Sequence, residues 1–185
     1  MLDTEATDVA ALTSRVVEQL DPLATKMHST MEVVSDGNPV IADLDPRRLE
    51  RILRNLLTNA LEHGEGKPVT VTIASDADAV AIGVRDRGVG LRPGEESLVF
   101  NRFWRADPAR TRRIGGSGLG LAISFEDARL HGGWLDAWGA PGQGAHFRVT
   151  VPKRAGEQVS HSPLELEPTD ASARYPNPYA RKVRT

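Results

Sequence analysis

Residues 45–63 read DPRRLERILRNLLTNALEH and contain the clearest periodic pattern of the chain. Asp45 is a residue type that caps helix N-termini, and Pro46 suits the first turn of a helix. Apolar side chains then recur every three or four residues in one continuous stripe: Leu49, Ile52, Leu53, Leu56, Leu57, Ala60 and Leu61. Because this spacing matches the helical period, we expect a helix from Pro46 to about His63 whose stripe faces a core.

The periodicity of the remaining sequence predicts further helices and strands. Helices are expected at residues 8–28, with a bend at Pro22, and at 119–130. Strands are expected at residues 31–34, 40–42, 69–73, 80–84, 134–138 and 147–151. The first two strands flank a DGNP turn, and the next two flank an acidic turn and are expected to form a hairpin.

The composition is typical of one globular domain followed by a tail. The 185 residues are 39% hydrophobic and 26% charged, which is enough apolar material for a single core. Beyond residue 152 the sequence is rich in Pro, Ser, Glu and Arg and has almost no apolar pattern. We therefore expect a domain at residues 1–152 and a flexible tail at residues 153–185.

Several classes of function are disfavoured by the same composition. The net charge of -2 provides no basic field for a nucleic-acid backbone, so no nucleic-acid partner is expected. The lack of cysteine excludes disulfides, thiolate metal sites and cysteine nucleophiles. No apolar run has the length of a membrane span, and the first ten residues lack the pattern of a signal peptide. We expect contact with a membrane only through a longer parent protein.

A line of polar residues borders the apolar stripe of the helix predicted at residues 46–63. Asn55, Asn59 and His63 are four residues apart, so each step advances by only about 40° around the helix. One interpretation is that the two amides hydrogen-bond each other or nearby backbone. The other is a shelf of amide oxygens for a hard cation such as Mg²⁺, which prefers oxygen ligands.

Two glycine-rich stretches lie on either side of a long loop. Residues 86–90 read DRGVG directly after a strand, a pattern that ordinary turns share. Residues 115–120 read GGSGLG directly before a helix, where backbone N–H groups and the helix dipole favour phosphate oxygens. The second stretch is neither a Walker A loop nor a Rossmann fingerprint, because no Gly-Lys-Ser/Thr follows it and no strand precedes it.

The loop between the two glycine stretches is rich in arginine. Five arginines occur within twelve residues: Arg102, Arg105, Arg110, Arg112 and Arg113. Guanidinium groups at this density suit a polyphosphate, although a solvated basic loop would have the same composition. A loop as long as residues 86–117 is usually functional or mobile.

Five segments in order resemble the nucleotide-binding boxes of one family. They are NLLTNALEHG (55–64), DRGVG (86–90), VFNRFWR (99–105), GGSGLGLAI (115–123) and PGQGAHF (141–147). They resemble the N, G1, F, G2 and G3 boxes of the sensor histidine kinase ATP-binding domain, a branch of the GHKL ATPases, over about residues 8–152. The resemblance implies an α/β fold, a two-layer sandwich of three helices on a mixed five-stranded sheet (Bergerat fold), with ATP between the second helix and the long loop.

The resemblance also implies roles for individual residues. Asn59 would coordinate Mg²⁺ at the phosphates, with Asn55 assisting through the metal or its waters. Asp86 would accept a hydrogen bond from the adenine amino group, while Gly88 and Gly90 leave room for the base. Further contacts with the cofactor are implied for His63, Leu91, Arg105, Gly116, Gly118, Leu119 and Gly120.

The same resemblance describes the long loop as a lid over the nucleotide. Phe100 and Phe103 would anchor this lid, and Arg105 would lie near the terminal phosphate, which makes Arg105 and Asn55 the implied catalytic residues. Two positions depart from the family pattern. Glu62 stands where relatives often have a lysine, and His146 stands where they often have a threonine on the adenine side.

The function implied by the resemblance is donation of the γ-phosphoryl group of Mg-ATP to a histidine on a separate helical dimerisation domain, for relay to a response regulator. His28 lacks the context of such an acceptor histidine. Two alternatives stay open, a GHKL-type ATPase and a nucleotide-sensing module without phosphotransfer. Those ATPases carry a glutamate base at the position of Asn55, and an amide cannot take a proton at neutral pH. The resemblance also implies a cytoplasmic domain in a parent anchored in the cell membrane.

Overall fold

The structure is a computed structural model that describes residues 1–104 and 118–171. Its helices are α1 (Val9–Lys26), α2 (Pro46–His63), α3 (Glu95–Leu98) and α4 (Gly120–Leu130). Its strands are β1 (Glu5–Asp8), β2 (Met31–Val34), β3 (Ile41–Leu44), β4 (Val69–Ser75), β5 (Ala79–Arg85), β6 (Trp134–Gly139) and β7 (Ala145–Pro152). Within these two ranges, no helix has the length and apolar character that crossing a membrane requires.

Five strands form one mixed sheet in the order β2-β4-β5-β7-β6. β2 and β4 run parallel, and the other neighbouring strands run antiparallel. The expected hairpin is formed by β4 and β5, in which Val71 is paired with Val84. α2 contacts both α1 and α4, and all three long helices contact the sheet around a single hydrophobic core. The predicted sandwich of three helices on a mixed five-stranded sheet is therefore confirmed, with the short α3 as an addition in the long loop.

The strands predicted at residues 31–34 and 40–42 belong to different sheets. β2 joins the main sheet, whereas β3 pairs with β1 in a separate antiparallel ribbon. The sequence did not predict β1, because its residues EATD have no alternation of apolar side chains. This strand exists through backbone pairing with a distant segment, in which Glu5 is opposite Leu44.

α2 lies at the centre of the core and has the predicted bounds. Four of its apolar side chains have no exposed surface: Ile52, Leu53, Leu56 and Leu57. The Asp45 carboxylate accepts hydrogen bonds from the backbone N–H groups of Arg47 and Arg48, and so caps the helix. The cap fixes where α2 begins, and the buried stripe fixes how α2 is rotated about its axis.

α4 is held antiparallel to α2 by a buried carboxylate near its C-terminal end. Asp127 is 2% exposed and accepts hydrogen bonds from Arg48 Nη1 at 2.7 Å and Arg51 Nε at 2.8 Å. His131 Nδ1 donates to the Asp127 carbonyl, and His131 Nε2 accepts from the N–H of Asp45. These bonds join the end of α4 to the start of α2, which brings the start of α4 beside the middle of α2.

The sheet has a second face, which the helices do not cover. In β7 the core side chains are those of Ala145, Phe147, Val149 and Val151. Because successive side chains of a strand point to opposite faces, His146, Arg148 and Thr150 lie on the other side, which we call the outer face. His146 and Thr150 are nevertheless buried, so another part of the chain must cover them.

Residues 159–170, which we call the strap, lie along this outer face. Three hydrogen bonds join the strap to β7: Thr150 donates to Ser162 Oγ, Arg148 to the Leu164 carbonyl and His146 to the Leu166 carbonyl. Leu164 also covers Gly83, where an added Cβ would lie 2.8 Å from the leucine side chain. The sequence analysis, which predicted a flexible tail here, did not predict these contacts, because an irregular segment has no periodic pattern of apolar residues. The rest of that tail, residues 172–185, lies outside the described residues.

Leu56→Ala should lower the free energy of unfolding by about 2–5 kcal/mol, because it leaves a cavity where a fully buried side chain was. Denaturant unfolding followed by circular dichroism measures this difference. Leu130→Ala is the matched control, because Leu130 is 54% exposed at the end of α4. The control should change the free energy of unfolding by less than about 0.5 kcal/mol. Equal losses in both variants would contradict the assignment of the core.

Candidate functional site

Asn55 joins the middle of α2 to the start of α4. Its Nδ2 donates to the carbonyl of Gly120 at 3.0 Å and to Ser124 Oγ at 2.9 Å. Both amide hydrogens are therefore used, and Oδ1 is the atom of this side chain that can still bind a ligand or water. Sequence reasoning missed Ser124, which is fully buried. Its spacing of four residues from Gly120 was the available signal, since residues four apart share one side of a helix.

Asn59 lies one turn further along α2 and is half-exposed. Within residues 1–104 and 118–171 its amide has no hydrogen-bond partner, in contrast to the amide of Asn55. An accessible amide oxygen is chemically suited to Mg²⁺. The predicted role of Asn59 as a metal ligand therefore fits its surroundings and stays a prediction.

The loop of residues 86–90 packs against the end of α2 through backbone contacts. The N–H of Val89 donates to the carbonyl of His63 at 3.2 Å. A Cβ at Gly88 would lie 1.7 Å from that same carbonyl oxygen, and a Cβ at Gly90, where φ is 73°, would lie 1.8 Å from the carbonyl oxygen of Ala140. Both glycines are thus required for the loop to pack against the neighbouring backbone. This requirement is separate from the predicted role of Gly88 and Gly90, which is to leave room for the adenine base.

Asp86 follows β5 and is only 1% exposed. Its Oδ1 accepts a hydrogen bond from the N–H of Gly88 at 3.0 Å. Burial raises the pKa of Asp86 above its ordinary value, while backbone hydrogen bonds from Gly88 and Ala145 and the positive charges of Arg85 and Arg87 act in the opposite direction. The site therefore contains a buried carboxylate, a group that can accept several hydrogen bonds through its two oxygens.

α4 begins without a side-chain cap. Leu119 is its N-cap residue and its apolar side chain makes no capping hydrogen bond, whereas aspartate side chains cap both α1 and α2. Gly118 precedes it with φ of 72°. A helix start of this kind is suited to an anion, because the dipole and the first N–H groups favour negative charge. Gly118, Leu119 and Gly120 are thus brought beside Asn55, while Gly116 and Arg105 lie outside the described residues.

In the long loop that follows β5, Leu91 is 9% exposed and packs against Gly139 of β6. Further along, the ring of Phe100 stacks on Phe125 of α4 with ring centroids 5.3 Å apart. Phe100 is therefore an anchor, as expected. The expectation for Phe103 is wrong, because its side chain is 69% exposed.

The two departures from the family pattern lie on opposite sides of the sheet. Glu62 is half-buried on α2 between the predicted ligands, and burial raises its pKa. His146 lies on the outer face, where its Nδ1 donates to the Leu166 carbonyl at 2.6 Å and burial lowers its pKa. Placing His146 on the adenine side is therefore wrong, because the alternation of β7 directs its side chain toward the strap.

Comparison with known families gives one match that covers most of the domain. Residues 44–155 match the model described as histidine kinase-, DNA gyrase B-, and HSP90-like ATPase. The matched range contains α2, the loop after β5, the start of α4 and the four strands from β4 to β7. Every element that contributes to the candidate site therefore lies within the family match.

The curated relatives include several sensor kinases. The chain is 54% identical over 167 residues to the sensor histidine kinase MtrB of Mycobacterium leprae (strain TN), a match that covers 90% of this chain and 30% of the relative. The values are the same for MtrB of Mycobacterium tuberculosis (strain ATCC 25618 / H37Rv). The chain thus spans about 30% of the length of these relatives.

Solved structures of related kinases share the fold. The mycobacterial sensor histidine kinase MprB aligns with a TM-score of 0.70 and 29% identity, over 82% of this chain and 99% of that chain. Full-length ShkA in complex with AMPPNP aligns with a TM-score of 0.74 and 27% identity, over 84% of this chain and 32% of that chain. The chain therefore belongs to the histidine kinase-, DNA gyrase B- and HSP90-like ATPase family, and it is similar to the sensor histidine kinase MtrB.

Proposed function

We propose that this chain is the ATP-binding catalytic domain of a two-component sensor histidine kinase. It binds Mg-ATP and donates the γ-phosphoryl group to a histidine on a separate helical dimerisation domain, which passes the group to a response regulator. The observation that carries this proposal is the line of Asn55, Asn59 and His63 on α2. This line extends from the start of α4 to the buried carboxylate of Asp86.

The arrangement supports one orientation of the nucleotide. Asp86 and His63 lie at the C-terminal end of α2, where the buried carboxylate of Asp86 suits an amino group of a purine. The start of α4 lies beside Asn55, eight residues earlier on α2, which corresponds to about 12 Å along the helix axis. The base therefore binds at the Asp86 end, and the phosphates bind at the start of α4.

The metal in this proposal is Mg²⁺, and the side chains present are compatible with it. Asn59 offers an accessible amide oxygen, and the Oδ1 of Asn55 lies one turn earlier on the same edge. When bound, Mg²⁺ neutralises charge on the phosphates. The chain itself orients the nucleotide along α2. Arg105, in the part of the loop outside the described residues, is proposed to contact the terminal phosphate.

The proposed reaction needs positioning and charge neutralisation more than covalent chemistry from this chain. The bond between the γ-phosphorus and the β–γ bridging oxygen breaks, a bond to the acceptor histidine nitrogen forms, and ADP leaves. The acceptor belongs to a parent protein proposed to be anchored in the cell membrane with this domain in the cytoplasm. This part of the proposal is supported by relatives named sensor histidine kinases, of which the chain spans about 30%.

The isolated chain should bind Mg-ATP but neither phosphorylate itself nor hydrolyse ATP at an appreciable rate. The reason is that Asn55 cannot act as a general base and the acceptor domain is supplied by another part of the parent. Incubation with γ-labelled ATP, with and without the parent's helical domain, measures both properties. Label should appear on the added domain alone. Rapid hydrolysis by the lone chain would favour the ATPase alternative, and binding without any transfer would favour a nucleotide sensor.

Asn59→Ala should abolish the increase in ATP affinity that Mg²⁺ provides while leaving the affinity in a chelator nearly unchanged. The substitution removes an oxygen ligand from a half-exposed position on α2. It breaks no hydrogen bond within the described residues. Calorimetric titration with ATP in each condition gives the two affinities. Thr58→Ala, one residue earlier and also half-exposed, is the control and should keep the Mg²⁺ effect. An equal loss of affinity in both conditions would contradict a metal ligand at Asn59.

Asp86→Asn should have opposite effects on ATP affinity and on stability. Affinity should fall by roughly tenfold or more, because an ionised acceptor of a hydrogen bond from the base is lost. Stability at pH 7 should rise, because burial raises the folded-state pKa of Asp86 and its ionised form therefore destabilises the native state. The gain relative to the parent chain should shrink as the pH falls through the folded-state pKa toward the ordinary value of 3.8. Calorimetric titration and denaturant unfolding at several pH values measure the two quantities, and a loss of stability at pH 7 would contradict this account.

A further inference from the structure

The strap connects the outer face of the sheet to the loop that contains Asp86. It runs antiparallel to β7, since Ser162 bonds to Thr150 at one end and Leu166 bonds to His146 nearer the other. Beyond Leu166 it ends with Asp170, which lies at the end of the sheet where the loop of residues 86–90 begins. The strap therefore reaches the candidate site from the side opposite the helices.

Asp170 binds the two arginines on either side of Asp86 in the sequence. One carboxylate oxygen accepts from Arg85 Nε at 3.1 Å, and the other accepts from Arg87 Nε at 3.1 Å. These bonds and the two positive charges lower the pKa of Asp170 below its ordinary value, although its partial burial acts in the opposite direction. The carboxylate thus remains ionised at neutral pH and joins the strap to both arginines.

Arg85 transmits this contact to the backbone of Asp86. Its side chain is 8% exposed, and its Nη1 donates to the carbonyl of Asp86 at 2.6 Å and to the carbonyl of Gln143 at 2.7 Å. The guanidinium group also lies 5.2 Å from the ring centre of Trp138. A planar, rigid donor group of this kind fixes the direction of each bond that it makes.

The geometry points to a positioning role for Asp170 and Arg85. Asp170 of the strap orients Arg85, and Arg85 holds the backbone of Asp86 in place. The Asp86 carboxylate is thereby positioned to accept a hydrogen bond from the amino group of a purine. This inference rests on the proposed function, because it assumes that Asp86 contacts the base. It concerns residues that do not touch the nucleotide. Asp170 lies outside the range matched by the family model, which ends at residue 155. The match to MtrB covers 167 of the 185 residues of the chain. Such a match must extend at least to residue 167, so it includes part of the strap.

The test compares two nucleotides that differ only in the 6-amino group, which is the proposed hydrogen-bond donor to Asp86. ATP has the 6-amino group, and purine riboside triphosphate lacks it. In the full chain, Asp170→Asn should weaken ATP binding by about two- to fivefold, the range expected for an ion pair that is partly exposed. The affinity for purine riboside triphosphate should stay unchanged. Glu167→Gln, an exposed strap residue without an ion pair in the described residues, is the control with the same change of charge.

A purely structural role of the strap would give a different result. General loosening of the domain would weaken both nucleotides equally and would lower the melting temperature in parallel, and this outcome would overturn the inference. Asp170→Glu, which keeps the carboxylate, should restore at least part of the preference for ATP. Arg85→Lys keeps the positive charge but not the planar fork, and it should also reduce the preference for ATP.

The outcome with Asp86→Asn separates this inference from the proposed function. If Asp86→Asn leaves the preference for ATP over purine riboside triphosphate unchanged, the assignment of Asp86 to the base is wrong. If Asp86→Asn removes the preference while Asp170→Asn and Arg85→Lys both keep it, the proposed function stands and the positioning role is wrong.

Discussion

Burial of the apolar stripe of α2 is the interaction on which the fold and the candidate site both depend. The side chains of Ile52, Leu53, Leu56 and Leu57 are fully removed from solvent. Asn55 and Asn59 occupy the edge of the same stripe, so their position follows from the rotation that buries the leucines. A rotation of α2 by one residue, about 100°, would expose part of the stripe and move Asn55 away from its partners on α4. One periodic pattern therefore determines both the core and the site.

The buried carboxylate of Asp86 is a feature of the site that lowers the stability of the folded domain, because burial disfavours its charge. Burial disfavours its ionised form, and four local features oppose this effect: backbone hydrogen bonds from Gly88 and Ala145 and the charges of Arg85 and Arg87. These features are available only because the loop approaches other backbone very closely. A Cβ at Gly144 would lie 2.1 Å from the carbonyl oxygen of Asp86. The glycines of this region thus allow the backbone contacts that keep the carboxylate in place.

The parts of the structure that could be predicted are those determined by local sequence. α2 was predicted with its exact bounds because a cap, a proline and a continuous stripe all lie within the segment. β1 and the strap were not anticipated, since they depend on backbone pairing and side-chain contacts between distant segments. The contact between Arg85 and Asp170 joins residues 85 positions apart, and no local pattern indicates it. The individual roles of Asn59 and Asp86 came from the family resemblance, while spacing alone placed the asparagines on one edge and left open whether their amides bond each other or nearby backbone or form a shelf for Mg²⁺.

The identity of residue 55 is constrained by packing as well as by chemistry. The Nδ2 group of Asn55 donates to a carbonyl oxygen of Gly120 at 3.0 Å, so a carboxylate oxygen at the same place would face that oxygen without a proton between them. An aspartate in the same side-chain conformation would repel the Gly120 carbonyl oxygen and would favour movement of the start of α4 away from α2. Such a movement would also displace the helix start that is proposed to bind the phosphates. The contact that assembles the phosphate end of the site therefore disfavours a base for water at this position, which is consistent with transfer to a histidine rather than hydrolysis.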